Sequence, residues 1–142
     1  MKREVIYSAK VKVPKDIPLS QGIKVGNVIY LSSMVAFDPK TGKIEAKTIE
    51  GQTHQSIRNC REMLRAGGAT LGDVVRVMIL LKNPRDFEVV NRVYGTYFRK
   101  DPPARTVVKI GAHIPKVLIS IMMTAVITDS GNKAASLPEL GD

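Results

Sequence analysis

The stretch PPARTVVKI, residues 102–110, places a single arginine, Arg105, at the head of an apolar, β-branched run. A guanidinium offers two parallel hydrogen bonds to a carboxylate, or an ion pair with an acid across an interface. The net charge of +9, from 22 basic and 13 acidic residues, favours anionic partners, among them small carboxylates and nucleic acid. The other reactive types are sparse. His54 and His113 are the only histidines, and neither has a second ligand at metal-like spacing. Cys60 is the only cysteine, so no internal disulfide can form, and it reads as a small buried hydrophobe on a helical stripe. DPKTGK, residues 38–43, lacks the pattern of a phosphate-binding loop. Arg58, Arg61 and Arg65 recur at helical spacing and predict one basic face, which Lys47 and either Arg92 or Arg99 would extend. With aromatics at 5% and no tryptophan there is no stacking platform, so RNA binding, if any, is expected to be weak and sequence-blind.

The elements that must position Arg105 follow from periodicity. Residues 4–8 and 27–32 read as strands, the second rich in β-branched and aromatic residues. Residues 38–42 read as a turn. A helix is expected over residues 53–66, with Ile57, Cys60, Met63 and Leu64 as its apolar stripe and Gly67 and Gly68 as its stop. Residues 73–81, DVVRVMILL, form a strongly apolar strand. NPRD then opens a second helix, with Asn83 as cap and Pro84 in the first turn. Val89, Val90, Val93, Tyr94, Tyr97 and Phe98 form its stripe, and Pro102 and Pro103 end it. Strands follow at 106–110 and 118–128, and residues 129–142 read as a loose tail. The pattern is ββαβαββ in one domain, residues 1–128. Two helices cover one face of such a sheet, while VLISIMMTAVI, residues 117–127, is apolar on both faces, so a second subunit is expected against the open side. No segment reaches transmembrane length, MKREVIYSAKV lacks the apolar core of a signal peptide, and the cytoplasm is the expected compartment.

Several stretches together carry a family resemblance. They are QGIKVGN at 21–27 with LSS at 31–33, DPKTG at 38–42, AGG at 66–68 with LGDVVRVMILL at 71–81, DFEVVNRVYGTYF at 86–98, and PPART at 102–106. In order and spacing they resemble the Rid family, also called the YjgF/YER057c/UK114 family. That resemblance implies an α+β, chorismate-mutase-like fold: a mixed sheet packed by two helices on one face, in a homotrimer with a central β-barrel and ligand clefts between subunits. It implies RidA-like hydrolysis of small enamine and imine intermediates, such as 2-aminoacrylate, to 2-keto acids and ammonia. It implies no metal or organic cofactor. Arg105 matches the family's carboxylate-binding arginine. Ser32 and Ser33 match the short motif after the second strand, with Ser33 in a glycine position, and Asn91 matches the helix asparagine.

The departures bear on mechanism. Leu19 stands where many active members carry a tyrosine, and Val107 stands where some carry a cysteine. Ser120 stands where the family commonly has a glutamate that orients the attacking water. No carboxylate occurs between Asp101 and Asp129, so this strand supplies no general base. Three readings stay open: a weak or differently targeted deaminase using Arg105 and Ser120, a non-catalytic binder of small 2-keto or 2-imino acids, and a nonspecific RNA-binding protein or translation inhibitor.

Overall fold

The computed structural model describes residues 1–111 and 114–128; His113 and the expected tail lie outside the described residues. Its strands are β1 (Arg3–Ile6), β2 (Gly22–Val25), β3 (Val28–Leu31), β4 (Met34–Val35), β5 (Val74–Leu81), β6 (Ala104–Lys109) and β7 (Ile119–Val126). Its helices are α1 (Ile49–Ala66) and α2 (Phe87–Tyr97). The strands make one mixed sheet in the order β1-β2-β3-β7-β5-β6, with β4 also paired to β7. Every pairing is antiparallel except β5 with β6, whose parallel register needs the crossover that α2 supplies. This is the mixed α+β single domain expected from the sequence.

The most apolar run becomes the middle of the sheet. β7 lies between β5 on one side and β3 with β4 on the other. Its alternate residues Ile119, Ile121, Met123 and Ala125 are fully buried beneath the helices. There they join Ile57, Met63 and Leu64 of α1 and Val90, Val93 and Tyr94 of α2 in one core. Cys60 sits in the same core, its Sγ 3.5 Å from the Ile121 carbonyl oxygen, and burial pushes its thiol far above the ordinary range. The opposite sheet face carries Met78, Leu80, Met122 and Val126, with Tyr30 52% exposed and Val108 37% exposed. Large side chains in water along a sheet face are the pattern of a surface that another layer covers.

The helix boundaries differ from the sequence expectation in instructive ways. α1 begins four residues earlier, because Thr48 caps it by accepting a hydrogen bond from the Gly51 amide at 3.1 Å. That first turn holds no apolar stripe to announce it. At the other end, a Cβ on Gly67 would stand 2.7 Å from the Ile29 Cδ1 and 2.8 Å from that of Ile6, so any side chain there would have to displace the tips of both isoleucines for the helix end to reach the sheet. Asn83 accepts from the Arg85 amide at 3.0 Å as expected of a cap, but Pro84–Asp86 is a separate 3-10 turn and α2 starts at Phe87. β6 starts at Ala104, so Arg105 is inside the strand rather than ahead of it.

Candidate functional site

Side chains alternate across a strand, and parallel partners share a face. Arg105 pairs with Val77, which is fully buried against the helices, so Arg105 points to the helix side of the sheet. There it meets α2. Phe87, Asn91 and Tyr94 recur at i, i+4 and i+7 and form one stripe of that helix. The Arg105 guanidinium carbon lies 4.9 Å from the Tyr94 ring centroid and 5.8 Å from that of Phe87. Both aromatic faces attract the cation without using any of its N–H donors. Arg105 makes no hydrogen bond or ion pair among the described residues, and it is only partly exposed.

Two further polar atoms on the same stripe lack partners. The Asn91 Oδ1 and the Tyr94 hydroxyl are buried and have no hydrogen-bond partner among the described residues. Burial pushes the Tyr94 phenol up to about 12, against the opposing pull of Arg105, so it is a neutral O–H at physiological pH. A fixed guanidinium with its donor fork uncommitted is an arrangement suited to an anion, and to a planar carboxylate above all.

The other expected site residues gather elsewhere. Ser120 pairs with Leu80 of β5 and Val35 of β4, and those positions lie on the face opposite Val77. Arg105 and Ser120 therefore face opposite sides of the sheet within one chain, and Ser120 is 5% exposed. Ser32 donates from Oγ to the Ser20 carbonyl at 2.7 Å, and its amide donates to the Gln21 carbonyl at 2.9 Å. Its hydroxyl proton is thus engaged in holding the loop that carries Leu19. Ser33 is exposed. Leu19 is 40% exposed and lines a cavity of about 360 Å³ with Tyr7, Val13 and Ser20.

Three buried amides that sequence reasoning passed over build this half of the molecule. The Gln21 Oε1 accepts from the Ser8 amide at 2.7 Å, while its Nε2 donates to the carbonyls of Ser8 and Val11 at 3.0 and 2.8 Å. Gln52 donates to the carbonyls of Ala46 and Lys116 and accepts from the Leu118 amide at 2.9 Å, which ties α1 to the approach to β7. Asn59 donates to the carbonyls of Val35 and Phe37, both at 3.0 Å, and so fixes the segment that pairs beside Ser120. Their signal in sequence is an amide next to an apolar stripe, which also describes many solvent-facing residues.

The basic face expected on α1 is corrected by the structure. Arg61 is buried at 7% exposure, and Arg65 pairs with Glu62 at 2.7 Å. Arg92 pairs with Glu50 at 3.6 Å. The three-to-four spacing holds, but a helix lying flat on a sheet turns one of those positions inward. The Nδ1 of His54 lies 2.8 Å from the Tyr97 hydroxyl, and burial with the nearby Arg58 holds its pKa below the usual histidine range. It is therefore neutral at physiological pH, and among the described residues no carboxylate is hydrogen-bonded to its ring. Binding of labelled single-stranded RNA is expected to be weak and to fall about twentyfold between roughly 50 and 200 mM salt, as three phosphate contacts would give. Tight, sequence-selective binding that survives high salt would overturn this.

The family described as Endoribonuclease L-PSP matches residues 12–127. The chain is 42% identical over 124 residues to a RutC family protein of Saccharolobus solfataricus, covering 87% of this chain and 97% of the relative. It is 35% identical over 115 residues to the 2-iminobutanoate/2-iminopropanoate deaminase of Homo sapiens, covering 80% and 82%. The solved structure of the YjgF gene product from E. coli superposes with a TM-score of 0.80 at 30% identity, covering 87% of this chain and 98% of the other. With its mixed sheet, its two helices on one face and a match that spans most of its length, the protein belongs to the Rid family, the YjgF and endoribonuclease L-PSP group.

Proposed function

We propose that the protein binds 2-imino and 2-keto acids by their carboxylate on Arg105 and hydrolyses the imines slowly. The observation that carries this reading is the Arg105 guanidinium, stacked on Phe87 and Tyr94 with its donors uncommitted among the described residues. The reaction adds water to the C=N carbon while a proton passes to nitrogen. The resulting carbinolamine collapses, the C–N bond breaks, a C=O bond forms and ammonia leaves. A protonated imine is already electrophilic, so holding it in one orientation removes much of the entropic part of the barrier. Ser120 can hydrogen-bond the attacking water but is a poor base, and this sets the reaction apart from a glutamate-assisted one. The cytoplasm is the compartment this reading assumes; among the described residues no helix is long and apolar enough to cross a membrane.

The site needs a neighbour. Arg105, with Asn91 on the helix beside it, and Ser120 face different sides of one chain's sheet. In a cyclic trimer whose open sheet faces turn inward, one subunit's Arg105 side meets the next subunit's Ser120 side, and the exposed Tyr30 and Val108 are covered. Sedimentation equilibrium is expected to give three times the 15.6 kDa chain mass. A concentration-independent monomer would sink the shared-site reading. The activity itself is tested by generating 2-aminoacrylate in situ with a dehydratase and following the release of keto acid. Hydrolysis no faster than in buffer, with keto acids still bound, would leave the protein as a binder on the same frame.

A further inference from the structure

Beside Arg105 lies a cavity of about 330 Å³ lined by Leu81, Pro84, Phe87, Val107, Val108 and Lys109. Five of these six are apolar, so the walls offer almost nothing for water to bond. Two of them connect the cavity to the arginine. Phe87 is one of the two rings under the guanidinium. Val107 stands two residues further along β6, paired with the fully buried Ile79, on the same side of the sheet. A two-residue step along a strand is about 6.6 Å, the reach of a short side chain. A carboxylate held by Arg105 thus brings the carbons behind it alongside Phe87 and Val107.

We propose that this cavity receives the ligand's side chain, and that the site is built for 2-imino and 2-keto acids with branched aliphatic or aromatic side chains rather than for the one-carbon side chain of 2-aminoacrylate. The inference rests on Arg105 as the carboxylate anchor. A methyl group takes up only a small part of such a space and would leave most of it wet. Each further methylene placed against those walls is removed from water and adds to affinity. Phe87, 42% exposed, gives a flat face against which an aromatic side chain can pack. Lys109 is exposed, so its ammonium remains hydrated at the rim and does not require a second acidic group inside.

The test is calorimetric titration of the full-length protein with pyruvate, 4-methyl-2-oxopentanoate, phenylpyruvate and 2-oxoglutarate. The branched and aromatic acids are expected to bind about tenfold or more tighter than pyruvate. Imines made in situ from alanine, leucine and phenylalanine by an amino acid oxidase are expected to follow the same order in kcat/KM. Val107→Phe, which fills the cavity, is expected to pull the affinity ratio toward one, and Phe87→Ala does the same by removing a wall should the first variant fold poorly. Pyruvate binding as tightly as the larger acids overturns the cavity assignment and leaves the carboxylate reading intact. Tightest binding of 2-oxoglutarate overturns it in favour of a second cation at Lys109. If no acid binds, or Arg105→Ala binds them all equally well, both readings fail.

Discussion

Replacing Arg105 with alanine is expected to weaken 2-keto acid binding about a hundredfold or more, with little loss of stability. The two halves of that expectation come from the same geometry. The guanidinium makes no hydrogen bond or ion pair among the described residues, so its removal leaves no protein acid unpaired. Its cation–π interactions with Phe87 and Tyr94 are worth about 0.5–1 kcal/mol at a partly exposed site, a small change in Tm for a chain of this length. A bound carboxylate, by contrast, loses two charge-assisted hydrogen bonds at once. Arg105→Lys keeps the charge and loses the planar fork, so its affinity should fall between the two, about tenfold below wild type. Calorimetry and thermal melting on the three proteins separate binding from folding. A structural arginine would show the reverse: a large drop in Tm and unchanged ligand affinity.

The fold was largely legible because its most demanding elements are its most apolar. β5 and β7 carry mostly hydrophobic runs, and α1 and α2 carry clean stripes, so composition and periodicity speak for them. β2 was visible only as part of a motif, since GIKV is four residues long and Lys24 interrupts it. The structure explains that lysine: its Nζ donates to the Gly67 carbonyl at 2.9 Å and closes the end of α1. β4 has two residues and forms where Asn59 holds the Val35 carbonyl and β7 runs on past its pairing with β3. No local signal marks such a strand. The stacking partners of Arg105 were readable in part. Tyr94 stood on the predicted stripe, but nothing in the sequence said that its ring lies under a guanidinium. The opposite facing of Arg105 and Ser120 was not readable at all. Fourteen positions and a loop separate them, and strand parity does not carry through a loop.

Ser120→Glu is expected to raise imine hydrolysis about a hundredfold or more, an outcome that would identify water activation as what the wild-type site lacks. A positioned general base contributes about 10²–10⁴-fold. Position 120 can hold one at a useful strength. It is 5% exposed and flanked across the sheet by Leu80 and Val35, so burial disfavours the charged form of a carboxyl placed there. Its pKa would rise from the ordinary value of about 4.3 toward neutrality, where a base both exists unprotonated and accepts a proton readily. The sign fixes the pH profile. The added rate should be present above the raised pKa and lost as pH falls through it, while the wild-type rate, with no titrating base at that position, shows no such step. The same burial destabilises the variant at high pH, where the carboxylate must be charged, and thermal melting should show a lower Tm there than at low pH. Ser120→Gln matches the shape without the base and should gain nothing. If glutamine raises the rate as much as glutamate, the gain is packing or water placement rather than proton transfer. If neither raises it while Arg105→Ala still abolishes keto acid binding, Ser120 does not face the bound imine, and the half-site that completes the Arg105 cleft lies elsewhere on the neighbouring subunit.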